Sequence, residues 1–205
     1  MTKKLLNPRG YLSWTQVDMW ERSPERYIRQ YIHGAAEFKN NRMDFGSKVA
    51  LAEETGEETD DETINALVAL LPKLPKREHT IRATLKTPHG EVDLLGKFDK
   101  FDDVALAIRD TKTGTTKWTQ TMANKHRQLR HYAALVYLFH GRLPSEMWID
   151  WAQTEEVDGE IRLTGLIKSF RVVLQLRDVL EYLADVSRVA REIDEAYRRE
   201  IDKLA

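Results

Sequence analysis

The sequence predicts a mixed α/β fold, a central mixed β-sheet flanked by helices. Amphipathic segments with a helical apolar period open and close the chain. Between them the period shortens toward two over three strand-length runs separated by turn signals, followed by a helix and two more runs. Helices, a strand meander, a helix, strands and a final helix in that order suit one sheet with helices packed against it.

The first helix is expected to begin at Ser13-Trp14-Thr15-Gln16, which reads as a capping box, and to run to about Tyr31. Trp14, Val17, Trp20, Tyr27, Ile28 and Tyr31 form its aromatic-rich side, and Arg22, Arg26 and Arg29 share the opposite one. A second helix is predicted from near Asp44 through Val49 and Leu51, and a third over Thr63 to Leu71, stopped by Pro72 and Pro75. Strand signals then follow at Thr80 to Thr87, Val92 to Phe101 and Val104 to Asp110, with turns at Thr87-Pro88-His89-Gly90 and Asp102-Asp103. Thr113 to Thr116 reads as a loop, Met122 to His140 as a helix, and Met147 to Trp151 and Ile161 to Phe170 as strands. A long amphipathic helix, Val173 to Leu204, carries Leu176, Val179, Leu183, Val186 and Ile193 on its apolar face.

The chain has 205 residues, enough for one buried core, and shows no repeat, low-complexity tract or linker, so a single domain over 1–205 is expected. A hydrophobic fraction of 41% with 32% charged residues is ordinary for a globular protein. No run approaches the roughly 20 apolar residues of a membrane span, and MTKKLLNPRG lacks the apolar core of a secretory signal. The absence of cysteine excludes disulfides, thiolate-bound zinc and iron–sulfur clusters, and fits a reducing, cytoplasmic setting. Net charge is −1, yet the charges are segregated. Glu53 to Glu62 holds seven acids and no basic residue, which reads as a solvated face. Arg109 to Arg130 carries Arg109, Lys112, Lys117, Lys125, Arg127 and Arg130 against the single acid Asp110, a pattern suited to tracking a phosphate backbone.

The chemistry-bearing residues lie at the ends of the meander. Asp110 and Lys112 are two apart in a strand and so share a face. If the strands pair through the Asp102-Asp103 turn, Asp99 comes beside Asp110 on that face. Two adjacent carboxylates repel, and a divalent cation relieves the repulsion. Oxygen ligands favour Mg²⁺ or Mn²⁺ over zinc, and a metal-activated water with Lys112 beside it is suited to cleaving a phosphodiester.

Asp-x-Lys by itself is common. Here it stands among further motifs: Gly96-Lys97-Phe98-Asp99-Lys100-Phe101-Asp102, then Asp110-Thr111-Lys112-Thr113-Gly114, then Gln128-Leu129-Arg130-His131-Tyr132. This series resembles the motifs of the RecB-like branch of the PD-(D/E)XK nuclease superfamily. Leu12 to Thr15, Ser23-Pro24 and Phe45-Gly46-Ser47-Lys48-Val49 extend the resemblance upstream, in the right order, over nearly the whole chain. It implies a restriction-endonuclease-like core with a helical N-terminal elaboration and a long C-terminal helix. It also implies Asp99, Asp110, Lys112, Gln128 and Tyr132 at the catalytic centre. The implied activity is divalent-metal-dependent cleavage of DNA, of exonuclease type, in repair, recombination or phage DNA processing. Partner proteins would be supplied in trans, a homo-oligomer is compatible with the pattern, and RNA is a weaker candidate substrate.

Two positions depart from the pattern. Ala50 stands where relatives often carry a metal-site histidine, with Glu53 or Glu54, a turn further on, as its possible replacement. Ser23 stands where many relatives have a cluster-binding cysteine. The Ala50 departure supports an alternative, a nucleic-acid-binding protein of this fold with impaired turnover. Lys117, Trp118, Lys125, Arg127 and Arg130 are the expected nucleic-acid contacts, with Trp118 positioned to stack on a base. Trp14, Trp20, Trp148 and Trp151 read as core, and His126 and His131 as solvated or phosphate-contacting side chains.

Overall fold

A computed structural model describes residues 3–36 and 41–203. Leu204, the expected end of the last helix, lies outside them. Six strands form one mixed sheet: β1 (Leu12–Ser13), β2 (Lys76–Thr87), β3 (Gly90–Asp102), β4 (Ala107–Gly114), β5 (Glu146–Val157) and β6 (Glu160–Val172). β2 runs antiparallel along one edge of β3. The other edge is shared: β1 pairs parallel at Leu94 and Leu95, and β4 pairs antiparallel from Lys100 to Asp102. β4 and β5 are parallel, which requires a crossover, supplied by helices α5 (Gln120–Lys125) and α6 (Arg127–His140). β6 closes the sheet antiparallel to β5.

Helices cover both faces. α6 and the long α7 (Leu176–Asp202) bury Leu129, Leu135, Val179, Val186 and Ile193 against Leu94, Phe98, Ile108 and Ile149. A smaller cluster joins Phe45, Val49 and Ala52 of α3 (Asn41–Thr55) to Ile64 and Leu67 of α4 (Glu62–Leu70) and to Ala152 of β5. Ile149 and Ala152 belong to different clusters, as the alternation of strand faces requires. Asp61 caps α4, accepting hydrogen bonds from the amides of Thr63 and Ile64. None of the helices among the described residues is long and apolar enough to cross a membrane.

The sequence expectations fail mainly at element boundaries. The first helix stops at Arg22; Ser23 then caps a short α2 (Pro24–Tyr27), followed by a π-helical segment, Ile28–Ile32. Pro24 has no amide proton to continue the α1 ladder, so Ser23-Pro24 restarts the helix instead of lying within it. The Ser13–Gln16 capping box does not form. Gln16 is buried and bonds the Tyr11 carbonyl and the Tyr27 hydroxyl instead. Val104 lies in a four-residue turn, not in a strand, and β4 starts at Ala107 and runs on through Thr113 and Gly114. The helix expected from Met122 breaks at His126, an extended residue between α5 and α6.

Candidate active site

The sheet forks in the middle of β3. β1 stops pairing after Leu95 and β4 starts at Lys100, so the edge from Gly96 to Asp99 has no strand partner. Buried backbone groups in such a gap need other partners, and α6 supplies them. The buried His131 ring contacts the Leu95 carbonyl through Nε2 (3.0 Å) and the Tyr182 hydroxyl through Nδ1 (2.9 Å). A carbonyl only accepts, so Nε2 carries the proton and Nδ1 accepts. Burial pushes the His131 pKa down to about 4, which keeps the ring neutral. Tyr132 donates to the Lys97 carbonyl (2.7 Å), and Gln128 donates to the Tyr132 hydroxyl (2.7 Å). α6 approaches so closely at Gly96 that a Cβ there would stand 2.5 Å from Leu135 Cδ1.

β3 also changes its facing at the fork. Phe98 and Phe101 belong to the same core cluster, although strict alternation would put residues three apart on opposite faces. The change falls at Asp99. The β2–β3 pairing skips Asp99 and Glu78, and Glu78 takes a φ of 47°. Asp99 is thereby turned toward β4, where its Oδ2 accepts the Thr111 amide at 2.8 Å.

Continuing the Lys100↔Arg109 register by one residue sets Asp99 opposite Asp110. Asp110 is fully buried, and Lys112 Nζ stands 2.6 Å from its Oδ2. Apart from that ion pair, both Asp110 oxygens are buried without a hydrogen-bond partner. Burial, together with the charge of Asp110, pushes the Asp99 pKa up to about 7, against the opposing pull of Lys112 and the Thr111 amide. For Lys112, burial opposes the charge, but Asp110 and Asp99 outweigh it and raise the pKa. The Lys112 side chain keeps 26% of its exposure, so the group opens to solvent there.

α3 borders this end of the sheet. Gly46, Ala50 and Glu53 are spaced four and three apart and share a helix face. A Cβ on Gly46 would lie 3.5 Å from Thr113 Oγ1. Glu53 is buried: its Oε1 is 2.7 Å from Lys100 Nζ, its Oε2 has no hydrogen-bond partner, and its charge contributes to raising Asp99. Glu54 points to solvent and pairs with Lys97 at 3.4 Å. Of the two glutamates, Glu53 is therefore the one drawn into the interior. Glu78, also paired with Lys97, is pushed up in pKa, chiefly by burial. Glu78, Lys97 and Lys100 were not singled out in the sequence. Lys97 lay inside the motif at a variable position and Lys100 at its basic position, and nothing in the sequence marked Glu78.

The remaining expectations divide. Gln128 and Tyr132 are together, as their spacing required, but the Tyr132 hydroxyl is committed to β3, so the pair braces the fork. Lys117 and Lys125 are exposed and Arg130 is half-buried. Arg127 is committed to protein partners: Glu21 (2.5 Å) and Asp185 (2.9 Å) hold it over the Tyr182 ring. Trp118 is half-buried against the main core, with its ring 5.2 Å from that of His126. His126 lies beside the site with its Nδ1 buried and unpartnered. Its pKa is lowered by burial first and by the Lys112 charge second. Trp151 is core, as expected, whereas Trp148 is half-buried under the Arg109 guanidinium.

Among the described residues, no three His, Asp or Glu side chains converge as a ready-made ligand set. The donor chemistry nevertheless fits a hard divalent cation. Both Asp110 oxygens and Glu53 Oε2 are buried carboxylate oxygens without hydrogen-bond partners, and Asp99 is costly to ionise beside them.

The fold is thus a mixed α/β one, a central mixed sheet with helices on both faces, forked so that two strands bring acidic side chains together. The same fold is seen in a phage-related exonuclease from Haemophilus somnus 129PT, which aligns with a TM-score of 0.51 at 11% identity, over 92% of this chain and 85% of that one. A second solved structure, SSO0001, aligns with a TM-score of 0.44 at 11% identity, over 87% of this chain and 74% of that one. No protein-family model matches the chain, and no curated protein matches it in sequence.

Proposed function

We propose that this chain is a divalent-metal-dependent nuclease of the RecB-like type that hydrolyses DNA phosphodiester bonds, with exonuclease-like action in DNA repair, recombination or phage DNA processing. The observation that carries this reading is the buried Asp99–Asp110 pair at the sheet fork, with Lys112 2.6 Å from Asp110 and open to solvent. The exonuclease that shares the fold adds support of a coarser kind.

Asp99, Asp110 and Glu53 would hold Mg²⁺ or Mn²⁺, which when bound neutralises the carboxylates and supplies an activated water. Lys112 keeps its proton in this acidic setting and directs a full positive charge at the position where phosphate charge builds up. The Thr111 amide fixes the Asp99 carboxylate, and the Gln128–Tyr132 brace holds β3 against α6, so the two aspartates cannot drift apart. Lys117, Lys125 and Arg130 would take the flanking phosphates.

Ala50 favours a second reading. Its methyl group, on the same α3 face as Gly46 and Glu53, offers no ligand, which suits a binding protein with lost turnover. End-labelled single- and double-stranded DNA, and RNA, incubated with Mg²⁺, Mn²⁺ or chelator, separate the two. The proposal expects metal-dependent, chelator-sensitive shortening of DNA. Retained DNA affinity without cleavage under every metal condition overturns it in favour of the binding protein.

A further inference from the structure

We infer that Lys100 is a positioning residue that holds the Glu53 carboxylate with one oxygen turned toward the Asp99–Asp110 pair. The inference deepens the metal-dependent reading above and rests on it. Lys100 is one residue beyond Asp99 and is only 3% exposed, far below the ordinary exposure of a lysine. Its Nζ lies 2.7 Å from Glu53 Oε1 and 3.8 Å from Asp150 Oδ2. Asp150, fully buried in β5, is fixed in turn by the Arg109 guanidinium at 2.8 and 2.6 Å and by the Ser169 hydroxyl at 2.6 Å. A polar network therefore runs from the Ser169 hydroxyl of β6 through the charges of Asp150 in β5, Arg109 in β4 and Lys100 in β3, and ends on Glu53 in α3.

Two observations show that this network serves more than packing. A buried ion pair confers little net stability over well-packed apolar residues, so a purely structural role gives weak reason for four buried or half-buried charges. The last carboxylate is also left half-satisfied: Oε1 is ion-paired with Lys100, whose Nζ makes no directed hydrogen bond, while Oε2 is buried without a partner. A buried acceptor without a partner costs about 1–3 kcal/mol, which a structural site would avoid. Glu53 is also among the charges that raise the Asp99 pKa, after burial and Asp110. Without Lys100, Glu53 is free to turn toward Arg77, whose Nη1 already bonds the Glu53 carbonyl at 3.0 Å.

Mn²⁺ titrated calorimetrically into the metal-free chain, without nucleic acid, tests the assignment through a double-mutant cycle of Lys100→Met and Glu53→Gln. Residues that orient a metal ligand typically contribute about tenfold to a hundredfold in metal affinity. Lys100→Met is expected to weaken Mn²⁺ binding by about tenfold in the parent and by less than about twofold once Glu53→Gln is present. Lys100→Arg, which keeps a cation for Oε1, is expected to recover most of the loss. If Lys100→Met does not fold, Lys100→Gln runs the same cycle. Equal weakening in both backgrounds would make Lys100 a bulk charge and overturn the inference, as would an unchanged affinity in the parent. A parent that binds no Mn²⁺ overturns the metal-dependent reading itself, and this inference with it.

Discussion

Removing the charge of Asp99 should stabilise the metal-free protein at alkaline pH. Asn at this position keeps an oxygen for the Thr111 amide and loses only the charge that burial and Asp110 make costly. Asp99 has a folded-state pKa of about 7 against 3.8 for the unfolded chain, so the folded state holds an extra proton between those values. Its stabilising effect is complete below 3.8 and is lost as pH rises through 7. At pH 8 the parent therefore carries the full penalty of ionising Asp99, of order 2–4 kcal/mol once coupling to Asp110 and Lys112 is discounted. For a chain of this size that corresponds to about 5–10 °C in Tm. Thermal melts in chelator should show Asp99→Asn above the parent by that amount at pH 8, with the gap narrowing as pH falls below 7 and closing only near 3.8. Millimolar Mn²⁺ should reverse the order at pH 8, because only the parent gains a bound cation. An Asp99→Asn protein that melts at or below the parent in chelator at pH 8 would refute the argument.

Gly96→Ala should cost about 1–3 kcal/mol by overpacking, since its Cβ meets Leu135 Cδ1 at 2.5 Å, and Leu135→Ala in the same chain should return part of that loss in urea melts. His131 contributes acid sensitivity of the opposite sign to Asp99. As pH falls from 6.5 toward 4 the unfolded ring takes a proton that the folded one refuses, removing up to about 3 kcal/mol. The difference in stability between the parent and His131→Gln should shrink over that range. Lys117→Ala and Lys125→Ala should each flatten the salt dependence of DNA affinity in Ca²⁺ by about one unit of slope, whereas Arg127→Ala should leave the slope unchanged and lower Tm. An Arg127 variant that alone lost slope would place the nucleic acid on the α6–α7 side.

The parts of this molecule legible in its sequence are those set by local period and motif. The strand runs, the pairing of β3 with β4, the shared facing of Asp110 and Lys112, and the partnership of Gln128 with Tyr132 all follow from spacings of two and four. What was not legible depends on long-range burial. Arg109 read as part of a phosphate-tracking basic run and Lys100 was not singled out, because nothing local marks Glu53 and Asp150 as the partners that draw them inside. Glu78 gave no signal, since its position follows from the interruption opposite Asp99. The choice between Glu53 and Glu54 depended on the rotation of α3, and the short apolar segment Phe45 to Ala52 did not determine it. Arg127 stood in a basic run and was assigned to phosphate, while its carboxylate partners came from α1 and α7, more than 50 residues away in both directions. The break at Ser23-Pro24 was visible as a proline, but the aromatic period continued across it and concealed the restart.

The central claim is that Asp99, Asp110 and Lys112 form a centre that cleaves phosphodiester bonds. Its most direct test is the single-turnover cleavage rate of end-labelled DNA at saturating Mn²⁺, comparing the parent with Lys112→Ala. The account predicts a rate at least about tenfold to a hundredfold lower for the variant, with the fold and DNA affinity in Ca²⁺ retained, because the lost charge is directed at the transition state. A Lys112→Ala protein that cleaves at the parental rate would contradict it.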